Sequence, residues 1–429
     1  MPLIQTPVIM ISYGGKTNQF KHRDGEIKNE GNLIWTFNRT RPFFVHMNTR
    51  FARRIQTSKM ALPISSPSPR LDRFGQAIES LYGSFTSIEN PAKWTPPPMS
   101  GGHRGRYLWT DAFGVINLIT MHREYSRCGS GTGDDNRYLI FADSLIQEVH
   151  EVLGRQRDGR SRLPGATDAN PLGGGLRIGK TEDYGSDADG QYHHYLTVWM
   201  FALNRMGRAS GDAKYNRLAV QLAKAIHPKF FIDRAAAKPR MIWKMDVNLS
   251  EPVVKSEGNL DPIDGYVVFR ILQASAIEAG DGEILTEEIG DYKRTMDRKG
   301  EHFVSSDTLD LGMTLWTAHW FCATEDWAAD LTKKCFDQIY NLFETNKYLE
   351  RNIKFRLAFR EFGASMGIQC LAEMHAEKDR SVDLKCYSDA IIAAWDPYME
   401  LSISDGLTPE DLRPITRVMY AAALIPGGE

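Results

Sequence analysis

The feature that most constrains how this chain can fold is an alternation running from about residue 70 to the end. Segments with one apolar face take turns with segments that are apolar nearly all round. Tyr138, Ala142, Leu145, Val149 and Leu153 recur at helical spacing, as do Tyr215, Leu218, Ala219, Leu222 and Ile226, so these segments show their opposite faces to water. Leu71 to Leu81, Ile284 to Met296, Trp327 to Leu342 and Tyr387 to Tyr398 belong to the same class. Between them, Leu108 to Met121, Tyr195 to Met206, Ile263 to Ile277, Leu309 to Ala323, Phe362 to Ala372 and Ile415 to Ile425 carry no continuous polar stripe. Helices of that second kind are buried on most sides. An outer-then-inner order repeated about six times predicts about twelve helices closing into an all-α (α/α)6 barrel of six helical hairpins over residues 70–429.

Connection lengths then separate the two ends of the ring. Stretches of roughly 20 to 35 residues, far above the usual handful, run from Gly83 to Arg106, Gly154 to Gln191 and Pro228 to Leu260. They are dense in Gly, Asp, Arg and aromatic residues. Each delivers the chain to the start of an inner helix, where unpaired backbone N–H groups and the helix dipole favour anionic or hydroxyl-rich ligands. That end is the expected active face, because ordered loops on a rigid scaffold commonly carry function.

A chain of 429 residues that is 42% hydrophobic can bury a large core in one toroidal domain. Its net charge of -2 supplies no field to recruit nucleic acid or anionic membrane, and no apolar run is long enough to span a bilayer. The expected partner is a small-molecule substrate, polyhydroxylated and with room for an acidic substituent. Five cysteines, Cys128, Cys322, Cys335, Cys370 and Cys386, lack C-x-x-C spacing and read as reduced packing residues. The N-terminus lacks the secretory order of basic, apolar and small residues, so a cytoplasmic location is the expectation. Residues 1–69 are basic, rich in Asn, Thr and Arg, and close with a Ser-Pro tract from Pro63 to Pro69; they read as an extension and linker. The acid-free stretch from Met47 to Met60 has the composition of an organelle presequence, though not its position.

Several motifs lie on the expected active face. Gly174 to Thr181 matches the P-loop pattern, but a P-loop follows a strand and opens a helix, whereas this stretch lies between a turn-rich loop and an acidic, glycine-rich one. Arg177 and Lys180 are instead candidates to hold an acidic substrate group, or to pair with Asp187 or Asp189. The segment Asp187-Ala188-Asp189-Gly190-Gln191-Tyr192-His193-His194-Tyr195 runs into an inner helix and brings carboxylate, amide, phenol and two imidazoles to its start. Adjacent helical histidines point about 100° apart, so at most one faces the hollow while the other packs or caps. The spacing suits neither a zinc pair nor a calcium loop, and no metal site is expected. Asp111, in Arg106 to Gly114, and Asp261 with Asp264, in Asp261 to Tyr266, begin two further inner helices. Asp261 before Pro262 has N-capping as its competing explanation. An Asp on an otherwise apolar helix is either hydrogen-bonded for structure or exposed to a polar cavity. Asp310, Arg356, Arg360, Glu361 and Arg413 add charge near the remaining starts, with Glu361 expected to pair with Arg360 or Arg356, and Lys244 is placed to reach over the rim.

At Arg106 to Gly114, Gly174 to Lys180, Asp189 to Leu203 and Asp261 to Gly265 the chain resembles a group of bacterial and fungal proteins related to the six-hairpin glycosidases. The resemblance spans most of residues 70 to 425. It implies Lys and His at the positions filled here by Val198 and Phe201, a departure that bears on substrate preference. The wider α/α-toroid superfamily holds glycoside hydrolases, unsaturated uronyl hydrolases, sugar epimerases and a few terpenoid dehydratases or cyclases, so fold alone does not choose among them.

The resulting expectation is an enzyme acting on a carbohydrate or other polyhydroxylated small molecule by acid-base chemistry, hydrolysis or epimerisation, with no cofactor. Asp111 and Asp264 are the expected acid-base carboxylates; Asp189 with His193 or His194 would orient substrate or a water. Tyr107, Trp109, Tyr192 and Trp243 would stack on substrate. Arg177, Lys180, Gln191, Lys244, Asp261, Asp310 and Arg360 would complete its binding. Val198 and Phe201 favour a competing expectation, an isomerase, dehydratase or cyclase of an apolar metabolite. A third, a non-catalytic binding protein, requires every acid to be neutralised by a nearby Arg or Lys.

Overall fold

A computed structural model describes residues 68–98, 105–128, 136–183, 185, 187–372, 378–400, 408 and 412–427. Apart from residues 68 and 69, the expected extension, with its presequence-like stretch, lies outside the described residues. Six of the helices line the inside: α2 (Leu108–Arg127), α4 (His193–Ser210), α6 (Asp261–Glu278), α8 (Thr308–Ala318), α10 (Ala358–Ala372) and α12 (Arg413–Leu424). Each touches the next, and α12 returns to α2, so the inner ring closes. Outside it lie α1 (Pro69–Tyr82), α3 (Arg137–Leu153), α5 (Lys214–Phe230), α7 (Thr286–Arg298), α9 (Asp326–Tyr340) and α11 (Lys378–Met399). Each of α3, α5, α7, α9 and α11 packs on the inner helix before it, whereas α1 packs mainly on α12, so the first helix covers the last. This is the (α/α)6 toroid.

The two layers differ as the sequence pattern requires. On α3 the buried residues are Leu139, Phe141, Ala142, Leu145, Ile146, Val149 and Leu153, one stripe of an otherwise wetted helix. On α4 every residue from His193 to Met206 is buried. The helix α1 starts where the Ser-Pro tract ends: Ser68 Oγ accepts from Leu71 N at 3.2 Å, and Pro69 occupies the first turn, where its missing N–H costs nothing.

Several boundaries depart from the pattern: α2 runs on to Arg127, α10 opens at Ala358 and α11 at Lys378. The helix α8 stops at Ala318 instead of reaching Ala323, because the chain turns after it, with Phe321 N bonding Ala318 O at 3.1 Å. The turn lays Trp320 against Phe201, ring centroids 5.7 Å apart. Two short antiparallel ladders fasten the long loops. β1 (Gln191–Tyr192) pairs with β4 (Lys244–Met245), and β2 (Phe231–Ile232) pairs with β3 (Arg240–Met241). Cys322, Cys335 and Cys370 are buried packing residues as expected, but Cys386 is exposed. Among the described residues no helix is long and apolar enough to cross a membrane.

The tightest seam of the ring joins α8 to α10. A Cβ at Gly312 would lie 2.1 Å from the Gly363 carbonyl oxygen, and one at Gly367 would lie 2.1 Å from the Gly312 carbonyl oxygen. Backbone faces backbone there, with no flexible side chain to yield. Gly312→Ala is therefore expected to destabilise the fold by about 1–3 kcal/mol or more, read as a lower urea midpoint; an unchanged midpoint would show that the seam can open without cost.

Candidate functional site

The first turns of α2, α4 and α6 meet at the loop end of the ring. The His194 imidazole bonds through Nδ1 to the Asp264 carboxylate, and Thr317 of α8 donates to the other carboxylate oxygen at 3.0 Å. Trp109 of α2 lies against the imidazole, centroids 4.7 Å apart. Tyr195 joins this cluster at 5.4 Å from Trp109, with Tyr107 and Tyr192 at 5.7 and 4.5 Å from Tyr195. Trp243 stacks edge-on against Tyr192 at 5.0 Å. The register of β1 against β4, Tyr192 opposite Lys244, is what carries Trp243 there.

Two polar atoms in this cluster are buried and have no hydrogen-bond partner among the described residues: His194 Nε2 and Trp109 Nε1. One is a donor, and the other donates or accepts according to protonation. Buried polar atoms are nearly always partnered, so adjacent orphans mark a place where a ligand or a water belongs. Burial alone would lower the His194 pKa, but the Asp264 carboxylate, with Asp261 and Asp310 behind it, outweighs that and raises it above the ordinary histidine value. With Nδ1 held by Asp264, proton exchange is left to Nε2.

The adjacent histidines divide as helical geometry requires. His193 points away from the inner ring: its Nε2 lies 2.7 Å from the Tyr292 hydroxyl of α7, and its ring packs on Phe230 of α5. Its Nδ1 is 3.2 Å from Asp261 but misaligned for a hydrogen bond. Gly265 admits Tyr292 to this position, since a Cβ there would fall 2.0 Å from the ring. Leu260 holds the N-cap position of α6, and Asp261 is buried beside His193 rather than capping.

Asp111 has the same position in α2 but a different fate. It lies about 200° round the helix from Trp109, on the face that meets the outer layer. There it accepts from the Tyr82 hydroxyl at 2.8 Å and forms an ion pair with the Arg106 guanidinium at 3.0 Å, and Arg106 also holds Glu148 of α3 at 2.8 Å. Gly114, one turn on, leaves room for Tyr82, whose hydroxyl would lie 2.1 Å from a Cβ. Asp111 is thus engaged with Tyr82 and Arg106, whereas Asp264 is engaged with His194 and Thr317, so the two expected carboxylates have different surroundings.

The loop residues are likewise occupied in fastening the chain. Asp189 accepts from Arg177 Nη1 at 2.6 Å and from the backbone N–H groups of Gly179 and Lys180 at 2.9 and 3.1 Å. Arg177 also donates to the carbonyls of Arg155 and Val152, and Lys180 pairs with Asp187. The glycines of the P-loop-like stretch wrap round Gln191: Gly175 has φ +77, and a Cβ there would overlap the Gln191 amide. That amide accepts from Leu176 N and donates to the Gly174 and Val247 carbonyls. Lys244 is buried, donates to Ala188 O at 2.6 Å, and is lowered to about 8 by burial, with Lys180 adding to the shift. Arg360 pairs with Asp307, the residue that caps α8; Asp310 accepts from Ser305 at 2.9 Å; Glu361 pairs with Arg356, not Arg360. Thr317 and Tyr292 were missed in the sequence, where neither carries a linear signal.

Below His194 on the same face of α4 lie Val198 and Phe201, four and seven residues on. Phe201 packs on Trp316 at 4.7 Å, and Trp316 reaches Phe113 at 6.1 Å, so the floor beneath the dyad is aromatic. Among the described residues no group of three or more His, Cys, Asp or Glu stands ready to hold a metal ion.

No protein-family model matches this chain, and no curated protein matches it. Solved structures share its fold. A family 76 glycoside hydrolase, a mannosidase from Bacteroides thetaiotaomicron, is 13% identical with a TM-score of 0.50, over 83% of this chain and 97% of its own. A GH76 alpha-mannanase from the same organism is 10% identical with a TM-score of 0.50, over 84% and 96%. At such identities the likeness is one of fold, and the fold is the six-hairpin toroid of these hydrolases.

Two outcomes test this geometry. The His194 ring protons, followed by NMR, are expected to titrate above the ordinary histidine value in the native protein and to fall in Asp264→Asn; a midpoint unmoved by that substitution would show that Asp264 does not hold the proton. Asp111, despite Arg106 and Tyr82, is raised to about 6 by its burial. A carboxyl raised in this way contributes stability that is whole below the unfolded value near 3.8 and is lost as pH rises through about 6. Wild type is therefore expected to lose stability relative to Asp111→Asn between about pH 4 and 6.5; a relative gain, measured by urea unfolding, would mean that the Arg106 pairing wins.

Proposed function

We propose that this protein is an enzyme acting on a carbohydrate or similar polyhydroxylated small molecule at the inner-helix starts, with His194 and Asp264 as its proton-transferring pair. The observation that carries the reading is the His194–Asp264 bond across α4 and α6, beside the two orphaned nitrogens of His194 and Trp109. His194 Nε2 exchanges a proton with substrate; Asp264 positions the ring and stabilises its charge. Trp109, Tyr192, Tyr195 and Trp243 form an aromatic cluster beside the pair, the kind of surface on which sugar rings stack. The mannosidase and mannanase that share the fold support a saccharide as the substrate class to test first.

One expected acid-base residue is given up. Asp111, paired with Arg106 and turned to the outer layer, holds the fold instead. With Asp264 bonded to an imidazole rather than standing free opposite a second carboxylate, as is usual for glycoside hydrolysis, proton abstraction and return, as in epimerisation, suits the pair better than hydrolysis. The non-catalytic alternative required each acid to be neutralised by Arg or Lys; Asp264 bonds His194 and Thr317. A second enzyme reading, conversion of an apolar metabolite, draws on Val198, Phe201 and Trp316 below the dyad.

The test uses α-linked mannooligosaccharides for hydrolysis and free mannose in deuterated water for exchange at the carbon beside the carbonyl. Turnover of either is expected, cut by about a hundredfold or more in His194→Gln and Asp264→Asn, with melting curves confirming folded variants. Turnover that survives both substitutions would remove the dyad from the chemistry. Conversion of a polyprenyl substrate with no action on sugars would select the second reading.

A further inference from the structure

The first histidine of α4 belongs to a pair of its own. His193 faces Asp261 as His194 faces Asp264, so two imidazole–carboxylate pairs cross the seam between the first turns of α4 and α6. The two carboxylates are three residues apart on α6, hence neighbours on one side of that helix. His193 Nδ1 and Asp261 Oδ1, 3.2 Å apart, are both buried and have no hydrogen-bond partner among the described residues. Buried polar atoms are nearly always satisfied, and at this ion-pair distance each atom is the partner the other has.

A carboxylate accepts hydrogen bonds and donates none. Facing Asp261, Nδ1 of His193 carries the ring proton, and Nε2 is left to accept from the Tyr292 hydroxyl of α7 at 2.7 Å. Burial lifts the Tyr292 pKa well above the ordinary tyrosine value, so that hydroxyl keeps the proton it donates. Two glycines make room for these groups. A Cβ at Gly258 would lie 1.6 Å from Asp261 Oδ2, and Gly265 gives similar room to the Tyr292 ring. Other titratable groups stand around them. Lys299, which donates to the Gly258 carbonyl at 2.9 Å, is attracted by Asp261. His227 of α5 lies 5.3 Å from the Tyr292 ring, with Asp291 at 3.4 Å from its Nε2, and Asp264 and Asp310 act on His194 from α6 and α8.

We propose that Tyr292, His193 and Asp261 are positioning residues for the dyad: Tyr292 fixes the His193 tautomer, His193 holds the Asp261 carboxylate, and that carboxylate, about one turn from Asp264, helps hold the proton on His194. All three act through His194. Burial lowers the His194 pKa, Asp264 works against it, and Asp261 adds to the rise. The bearing of this line on turnover rests on the dyad reading given above; its test uses no substrate.

Nitrogen NMR shifts of the imidazoles, in the histidine-labelled full chain, read the tautomer directly. His193 protonated on Nδ1 is expected; protonation on Nε2 alone would overturn the proposal. Titration of His194 reads the charge. Asp261→Asn removes a negative charge at nearly constant shape, and the His194 midpoint is expected to fall by about half a pH unit or more. In Tyr292→Phe, His193 Nε2 loses its donor and takes a proton more readily, and that charge beside His194 is expected to lower its midpoint too. A purely structural role moves neither midpoint, so a His194 midpoint unchanged in either variant, with melting curves showing it folded, also overturns the proposal. Should Asp261→Asn fail to fold, Tyr292→Phe and the wild-type tautomer decide. A lowered midpoint in a protein that turns over no sugar supports the positioning line and counts only against the catalytic reading.

Discussion

Six helices buried on most sides impose one condition on everything else: each polar side chain they bury must find its partner. The ring meets it repeatedly. Asn117 donates to the Val418 carbonyl of α12, Asn204 donates to Asn216 of α5 and Ser275 of α6, and Ser365 bonds Ser388 of α11. Glu361 takes both Arg356 and the Trp395 indole. Each such bond is modest in net terms, but leaving its members unmade inside the ring costs about 1–3 kcal/mol apiece. The closed order of hairpins is thereby specified as well as filled.

Against that background the exceptions carry the interest. Orphaned nitrogens on Trp109 and His194 stand together where the loops enter, and Arg123, Arg127, Arg205 and Arg208 line the other mouth. Both ends of the ring are thus polar, while Phe113, Phe201 and Trp316 fill the layer between them with aromatic surface. That plug separates the two ends: the His194–Asp264 pair above, the arginines below.

Much of the architecture was legible because helical burial writes itself into every third or fourth residue. The distinction between α3, with one apolar stripe, and α4, buried throughout from His193 to Met206, is visible in composition alone. The site was legible only as a set of helix starts. Asp111 and Asp264 sit in similar apolar contexts, each near a glycine, yet one faces outward to Tyr82 and Arg106 and the other sideways to His194 and Thr317. Likewise Arg177, Lys180, Asp189 and Gln191 read as substrate contacts because they are polar, loop-borne and clustered. Folded, they bond to one another and to backbone groups, since a buried loop of that length must satisfy its own N–H and C=O groups first.

The sequence by itself determined the ring: its layers, its order and the end at which the long loops gather, because periodicity is a local property that each helix carries alone. Which carboxylate meets which base was decided only by the tertiary structure. A rotation of about 100° per residue sends neighbours such as His193 and His194 to different layers, and the side chain that receives each one comes from a helix about 70 or 100 residues away.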